Sequence, residues 1–120
     1  MKIENMKLQE TGTRVFHSDT LNAQVKATTF QLGDYRVILR LTVFPSGNRF
    51  VDVTVQKNHD RRFLPEIYSR QDLDGDLTGF EIQTTAYGAL PIEGIDEVIE
   101  GFQEAQQAVR LLEGLLKEVE

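Results

Sequence analysis

The longest regular pattern in the chain is an alternation. Tyr35, Val37, Leu39, Leu41 and Val43 are apolar, and Arg36, Ile38, Arg40, Thr42 and Phe44 stand between and after them. Beyond Pro45-Ser46-Gly47-Asn48 the alternation resumes, with Val51, Val53 and Val55 separated by Asp52, Thr54 and Gln56. A period of two in β-branched and aromatic residues, broken by Pro, Gly and Asn, predicts a β-hairpin over residues 35–57. Facing residues must have an even sum if the two odd-numbered sets are to share a face, as Val43 with Val51 and Leu41 with Val53 do. A three- or five-residue loop keeps the sets together; an unbulged two- or four-residue loop would turn one of them outward.

Other stretches read less directly. Residues 24–32 form a strand pattern ended by Gly33-Asp34, and the phase slips between Thr29 and Phe30, which predicts a β-bulge there. Leu73-Asp74-Gly75-Asp76 carries an Asp-Gly turn signal, and pairing Leu73 with Asp76 sets Ile67 opposite Ile82. Residues 1–23 are the least readable, with Arg14-Val15-Phe16-His17 as a short edge-strand candidate. From Pro91 the period changes. Ile95, Val98, Phe102, Ala105, Val109, Leu112, Leu116 and Val119 recur at alternating spacings of three and four, which predicts an amphipathic helix over residues 91–119. Asp96, Glu97 and Glu100 complement the positive end of its dipole, while Gly101 and Gly114 each cost about 0.5–1 kcal/mol relative to Ala. The expected fold is α+β in one domain of 120 residues, an antiparallel meander of four or five strands within residues 24–87 with one long helix packed on one sheet face.

Charge changes this picture because it is sorted along the chain. Residues 1–70 hold eleven Lys and Arg against seven Asp and Glu, a net of +4; residues 71–120 hold Arg110 and Lys117 against twelve acids, a net of −10. The overall −6 conceals a basic half. Such asymmetry bears on partners and self-contact more than on fold. The chain has no cysteine, which excludes disulfides, thiolate chemistry and Cys-based metal sites and suits a reducing, cytoplasmic setting. No apolar run approaches the length of a bilayer span, the first residues lack a signal-peptide core, and a membrane partner is not expected.

Motifs for catalysis are missing. Asp72-Leu73-Asp74-Gly75-Asp76 places carboxylates at alternate positions, but a calcium loop counted from Asp72 wants Gly and Glu where Leu77 and Gln83 stand. A solvated Asp-Gly turn explains it better, and no metal or cofactor is expected. His17 and His59 are far apart in sequence, and Ser18, Ser46 and Ser69 occupy no nucleophile context; there is no phosphate-binding glycine loop. A non-enzymatic interaction or regulatory protein is therefore the first expectation.

Two surfaces are candidates for use. The outward face of the 35–57 hairpin carries Arg36, Ile38, Arg40 and Phe44 on one strand and Phe50 on the other, with Arg49 in the loop. Phe44 and Phe50 are expected as cross-strand neighbours. Rings beside cations on a sheet form a platform for unpaired bases, and Arg61 and Arg62 extend the basic character. Burial of Ile38, Phe44 and Phe50 under residues 1–23 or a second subunit is the favoured alternative. The second surface is the end of the helix. From Ile95 to Val119 it would run about 37 Å, against about 17–20 Å for an ordinary strand. The apolar residues Val109, Leu112, Leu115, Leu116 and Val119 are then expected to overhang the sheet and make a homodimer contact.

In element order, over roughly residues 24–118, a curved antiparallel sheet followed by one helix resembles the Whirly and transcriptional-coactivator group of single-stranded DNA binders. The resemblance implies binding of single-stranded nucleic acid on the sheet. It extends to element order alone: no residue motif matches, and the acidic helix departs from the basic character of that group.

Overall fold

The computed structural model describes residues 6–61, 63–73, 76–83 and 89–119, with helix side chains as far as 115. Strands β1 (Leu8–Ser18), β2 (Ala23–Leu32), β3 (Tyr35–Val43) and β4 (Arg49–Lys57) pair in sequence order as an antiparallel meander. Strands β5 (Ile67–Gln71) and β6 (Leu77–Ile82) form a separate two-stranded sheet, and helix α1 (Ile92–Val119) follows. The fold is α+β, as the pattern predicts. The second hairpin does not extend the meander; it stands apart from it.

The registers show where local chemistry wins over periodicity. Leu41 pairs with Val51 and Leu39 with Val53, two residues away from the expected match, so the odd-numbered sets still share a face. The loop has an expected length but is centred one residue earlier, on Ser46, because Phe44 and Asn48 are joined by a backbone hydrogen bond of 2.9 Å, and Gly47 supplies the positive φ (89°) that the turn requires. The expected bulge in β2 lies on its partner. β2 is in continuous register with β3, whereas Thr11 of β1 is the extra residue opposite the step from Thr29 to Phe30. Residues that looked like a short edge strand at 14–17 belong to an eleven-residue β1. In the second hairpin Ile67 does face Ile82, but Asp72, not Leu73, closes onto Asp76, and a bulge at Arg70/Gln71 absorbs the difference.

One face of the meander holds the core. Leu32, Tyr35, Val37 and Val53 share a cluster with Met6, Leu64, Ile67, Ala105, Ala108 and Leu112. The segment after β4 is drawn across this face by polar anchors: Lys57 Nζ donates to the Leu64 carbonyl at 3.1 Å, and the Tyr35 hydroxyl donates to that of Pro65. Each buried carbonyl thereby gains a partner that its irregular backbone does not supply.

The helix is turned from its expected face. Gly101, Glu104, Ala105, Ala108 and Leu112 are buried, while Ile95 is 47% exposed. Small residues explain the turn. A Cβ at Gly101 would collide with the backbone carbonyl of Phe63, so the glycine lets the helix sit directly on residues 63–64. The expected C-terminal dimer contact is corrected at two of its residues: Leu112 is 1% exposed and Val109 packs against the core. Leu115 is half-buried, and the side chains of Leu116 and Val119 lie outside the described residues. Among the described residues the uncovered apolar part of the helix is its beginning, where Ile92 is 84% and Ile99 50% exposed.

Candidate functional site

Alternation along the strands assigns the even-numbered residues of β3 and β4 to the face opposite the core. Pairing carries that face across β2 through Val25, Ala27 and Thr29, and across β1 through Arg14, Phe16 and Ser18. Ala23, Val25 and Thr42 are each at most 6% exposed there, although their strand neighbours on the other face take the helix side. The burial comes from curl. Residues of the outer strands, Arg14 and Phe16 on β1 and Phe50 and Asp52 on β4, line one groove of 670 Å³ with Val25, Ile38, Arg36 and Arg40 between them. The Thr11 bulge in the edge strand and small residues such as Ala23 and Ala27 suit that curvature.

The groove floor mixes apolar residues and cations, with Ile38 between Arg36 and Arg40 on β3 and Val25 and Ala27 beside them on β2, while Arg14 stands on the β1 wall and Asp52 on the β4 wall. Arg14 lies over the Phe16 ring at 4.8 Å from its centroid, a cation–π arrangement that favours keeping the guanidinium against the ring. Arg40 approaches Asp52 at 3.9 Å. Burial pushes the Asp52 carboxyl above its usual range, and the Arg40 charge draws it partly back. Three arginines against one aspartate leave the groove positive in a chain of net −6. Leu21 and Phe50, 52% and 37% exposed, stand at its rim.

The expected site residues separate. Arg36, Arg40 and Phe50 meet in the groove. Phe44 does not face Phe50: Thr42 holds that position, and Phe44, half-buried, faces Asn48 across the turn. Arg49 opens β4 opposite Val43 and alternates onto the other face. Arg61 is occupied elsewhere, and Arg62 lies outside the described residues. The favoured covering of this face by residues 1–23 does not occur in the described part, because residues 8–18 join the sheet edge-on and become a wall. Arg14 and Phe16 were legible only as members of that strand. Their spacing of two, continued by Ser18, is the signal that assigns them to the groove.

Arg61 belongs to a structural cluster. It pairs with Asp34 in the β2–β3 turn and with Glu104 Oε1 of the helix at 3.2 Å. Burial alone would lower the Arg61 pKa, but the Glu104 charge and the hydrogen bonds to Asp34 and Glu104 outweigh it and raise it. Glu104 is fully buried, and its Oε2 has no hydrogen-bond partner among the described residues. The cluster ties the helix to the sheet. A second hollow of 680 Å³, lined by Asp34, Arg36, Lys57, His59 and Glu66 among others, mixes both charges and contains no Phe or Tyr.

Among the described residues no group of three His, Asp or Glu side chains could hold a metal ion, and no helix is long and apolar enough to cross a membrane. Comparison of the chain with models of protein families, with curated proteins and with solved structures gives no match in any of the three. The element order also departs from a single sheet followed by a helix, because the β5–β6 hairpin comes between them.

Proposed function

We propose that the protein is a non-enzymatic binding protein that acts through the concave face of its four-stranded sheet, and that its ligand is single-stranded nucleic acid. One observation carries the reading: Arg14, Arg36 and Arg40 line, together with Phe16 and Phe50, a groove that no described element covers. Bases stack on rings without regard to sequence, and guanidinium groups track the phosphates between them. The acidic remainder of the molecule repels a polyanion, so the expected affinity is micromolar at low salt and falls as salt rises. A cytoplasmic, regulatory setting belongs to the same proposal, and the cysteine-free composition supports it.

The test is fluorescence anisotropy of a labelled oligothymidine at about 50 mM salt, repeated as salt is raised. With two or three phosphates neutralised, log K should fall against log salt with a slope of about −2. Arg36→Ala should weaken binding and flatten the slope; Phe50→Ala should weaken it and leave the slope unchanged. Absence of any anisotropy change with micromolar protein at the lowest salt overturns the proposal.

A further inference from the structure

We infer that the same groove accepts the first half of α1 from a second copy of the chain, giving head-to-tail self-association. The observations are independent of the nucleic-acid reading. Ile92, Ile95 and Ile99, 84%, 47% and 50% exposed, stand at spacings of three and four and so form one stripe on the helix. Exposed acids border it: Asp96 is one turn from both Ile92 and Ile99, Glu100 follows one turn later, and Glu93 and Glu97 extend the negative side. The helix has no Lys or Arg before Arg110.

The groove is the counterpart of this stripe. It offers Val25, Ala27 and Ile38 on its floor, Leu21 and Phe50 at its rim, and Arg14, Arg36 and Arg40 as cations. An apolar stripe with carboxylates beside it meets a groove that sets three guanidinium groups among apolar side chains, so polarity and charge agree. The occupant cannot be the chain's own helix. That helix lies on the core side of the meander, held by Gly101 against Phe63 and by Glu104 against Arg61, whereas the groove opens on the other side. The stripe also lies on the helix side away from buried Gly101, Ala105 and Ala108. Donor and acceptor surfaces therefore look in opposite directions. A pair of copies satisfies one contact and leaves one groove and one stripe free, which is a heterologous interface that adds further copies until a ring closes.

The experiment is sedimentation velocity on the full chain over a concentration series. The wild type should show a sedimentation coefficient that rises with concentration past the dimer, and less so as salt is raised. Two charge-reversed forms should each be monomeric: Asp96→Lys with Glu100→Lys on the helix, and Arg14→Glu with Arg36→Glu in the groove. All four positions are exposed, and circular dichroism checks that the folds are retained. Mixing the two forms places lysines against glutamates at one junction and native charges at the other, so association should return. Ile99→Asn should dissociate the copies without touching the groove, leaving oligonucleotide binding intact or stronger by relief of competition. A wild type that stays monomeric at the highest concentration, or a mixture that fails to associate, overturns the inference whatever the anisotropy result.

Discussion

On one face of the meander Leu32, Tyr35 and Val37 lie under residues 64–67, the second hairpin and the helix; on the other, Ala23, Val25 and Thr42 are as well hidden with no layer above them among the described residues. The first face is closed by packing and the second by curvature. Packing consumes the side chains it uses, so the covered face has nothing left to offer a ligand. Curvature hides only part of the floor. It leaves the arginines and the rim aromatics accessible, which is why the same four strands can supply both a core and a binding surface.

The largest expected break in this comparison is at neighbouring strands of opposite duty. Leu32→Ala on the covered face should cost about 2–5 kcal/mol in urea unfolding, because the cavity cannot be refilled. Ile38→Ala on the curled face, half-buried and open to water, should cost about 1 kcal/mol. Equal losses would mean that the groove is closed in solution. Next comes the polar tie that holds the cover in place. Arg61→Ala leaves Glu104 buried and unpaired, a change worth about 3 kcal/mol by analogy with other buried pairs; partial exposure of Arg61 argues for somewhat less. Adding Glu104→Gln to that variant should recover part of the loss, and the same urea curves measure it.

The helical glycines sharpen the point at smaller scale. Gly101→Ala drives a methyl into the Phe63 carbonyl and should destabilise by about 1–3 kcal/mol. Gly114→Ala meets nothing within 4 Å and should stabilise by about 0.5–1 kcal/mol; thermal melts read both signs. The smallest effect belongs to Asp52. Its folded pKa is raised, so it favours the fold while protonated, and that contribution is lost as pH rises through the raised value. Asp52→Asn keeps the neutral form, so its advantage over wild type should be absent in acid and appear as pH rises through the raised Asp52 pKa, read from urea midpoints across a pH series. The same variant removes the groove's one carboxylate and should tighten oligonucleotide binding.

How far the sequence reaches depends on which interactions decide each element. Strict alternation in β3 and β4 is legible because one buried face imposes it, and even the two-residue error in register preserves parity. Periodicity also found the helix. It placed Ala105 and Leu112 on the buried face but missed Gly101 and Ala108, because such small residues carry little hydrophobic weight while allowing the closest approach. Glu104 is a further trap: a charged residue reads as solvent-facing until its partner, Arg61, is known. Half of the groove was legible, since parity alone assigns Arg36, Arg40 and Phe50 to one face. Arg14 and Phe16 were not, since their strand has mostly exposed residues on both sides and its register depends on the Thr11 bulge.

Sequence-adjacent pairing throughout the meander has a kinetic consequence. Each of its hairpins closes a loop of a few residues, whereas the contact between Arg61 and Glu104 spans 43 positions, and loop-closure entropy and folding rate favour the short loops. The four strands that form the groove also precede the helix in the chain. During synthesis the curled sheet can therefore leave the ribosome before the acidic helix has been translated. A nascent chain would then expose an empty basic trough to the messenger that encodes it, and to the finished helices of earlier copies, before it has a helix of its own.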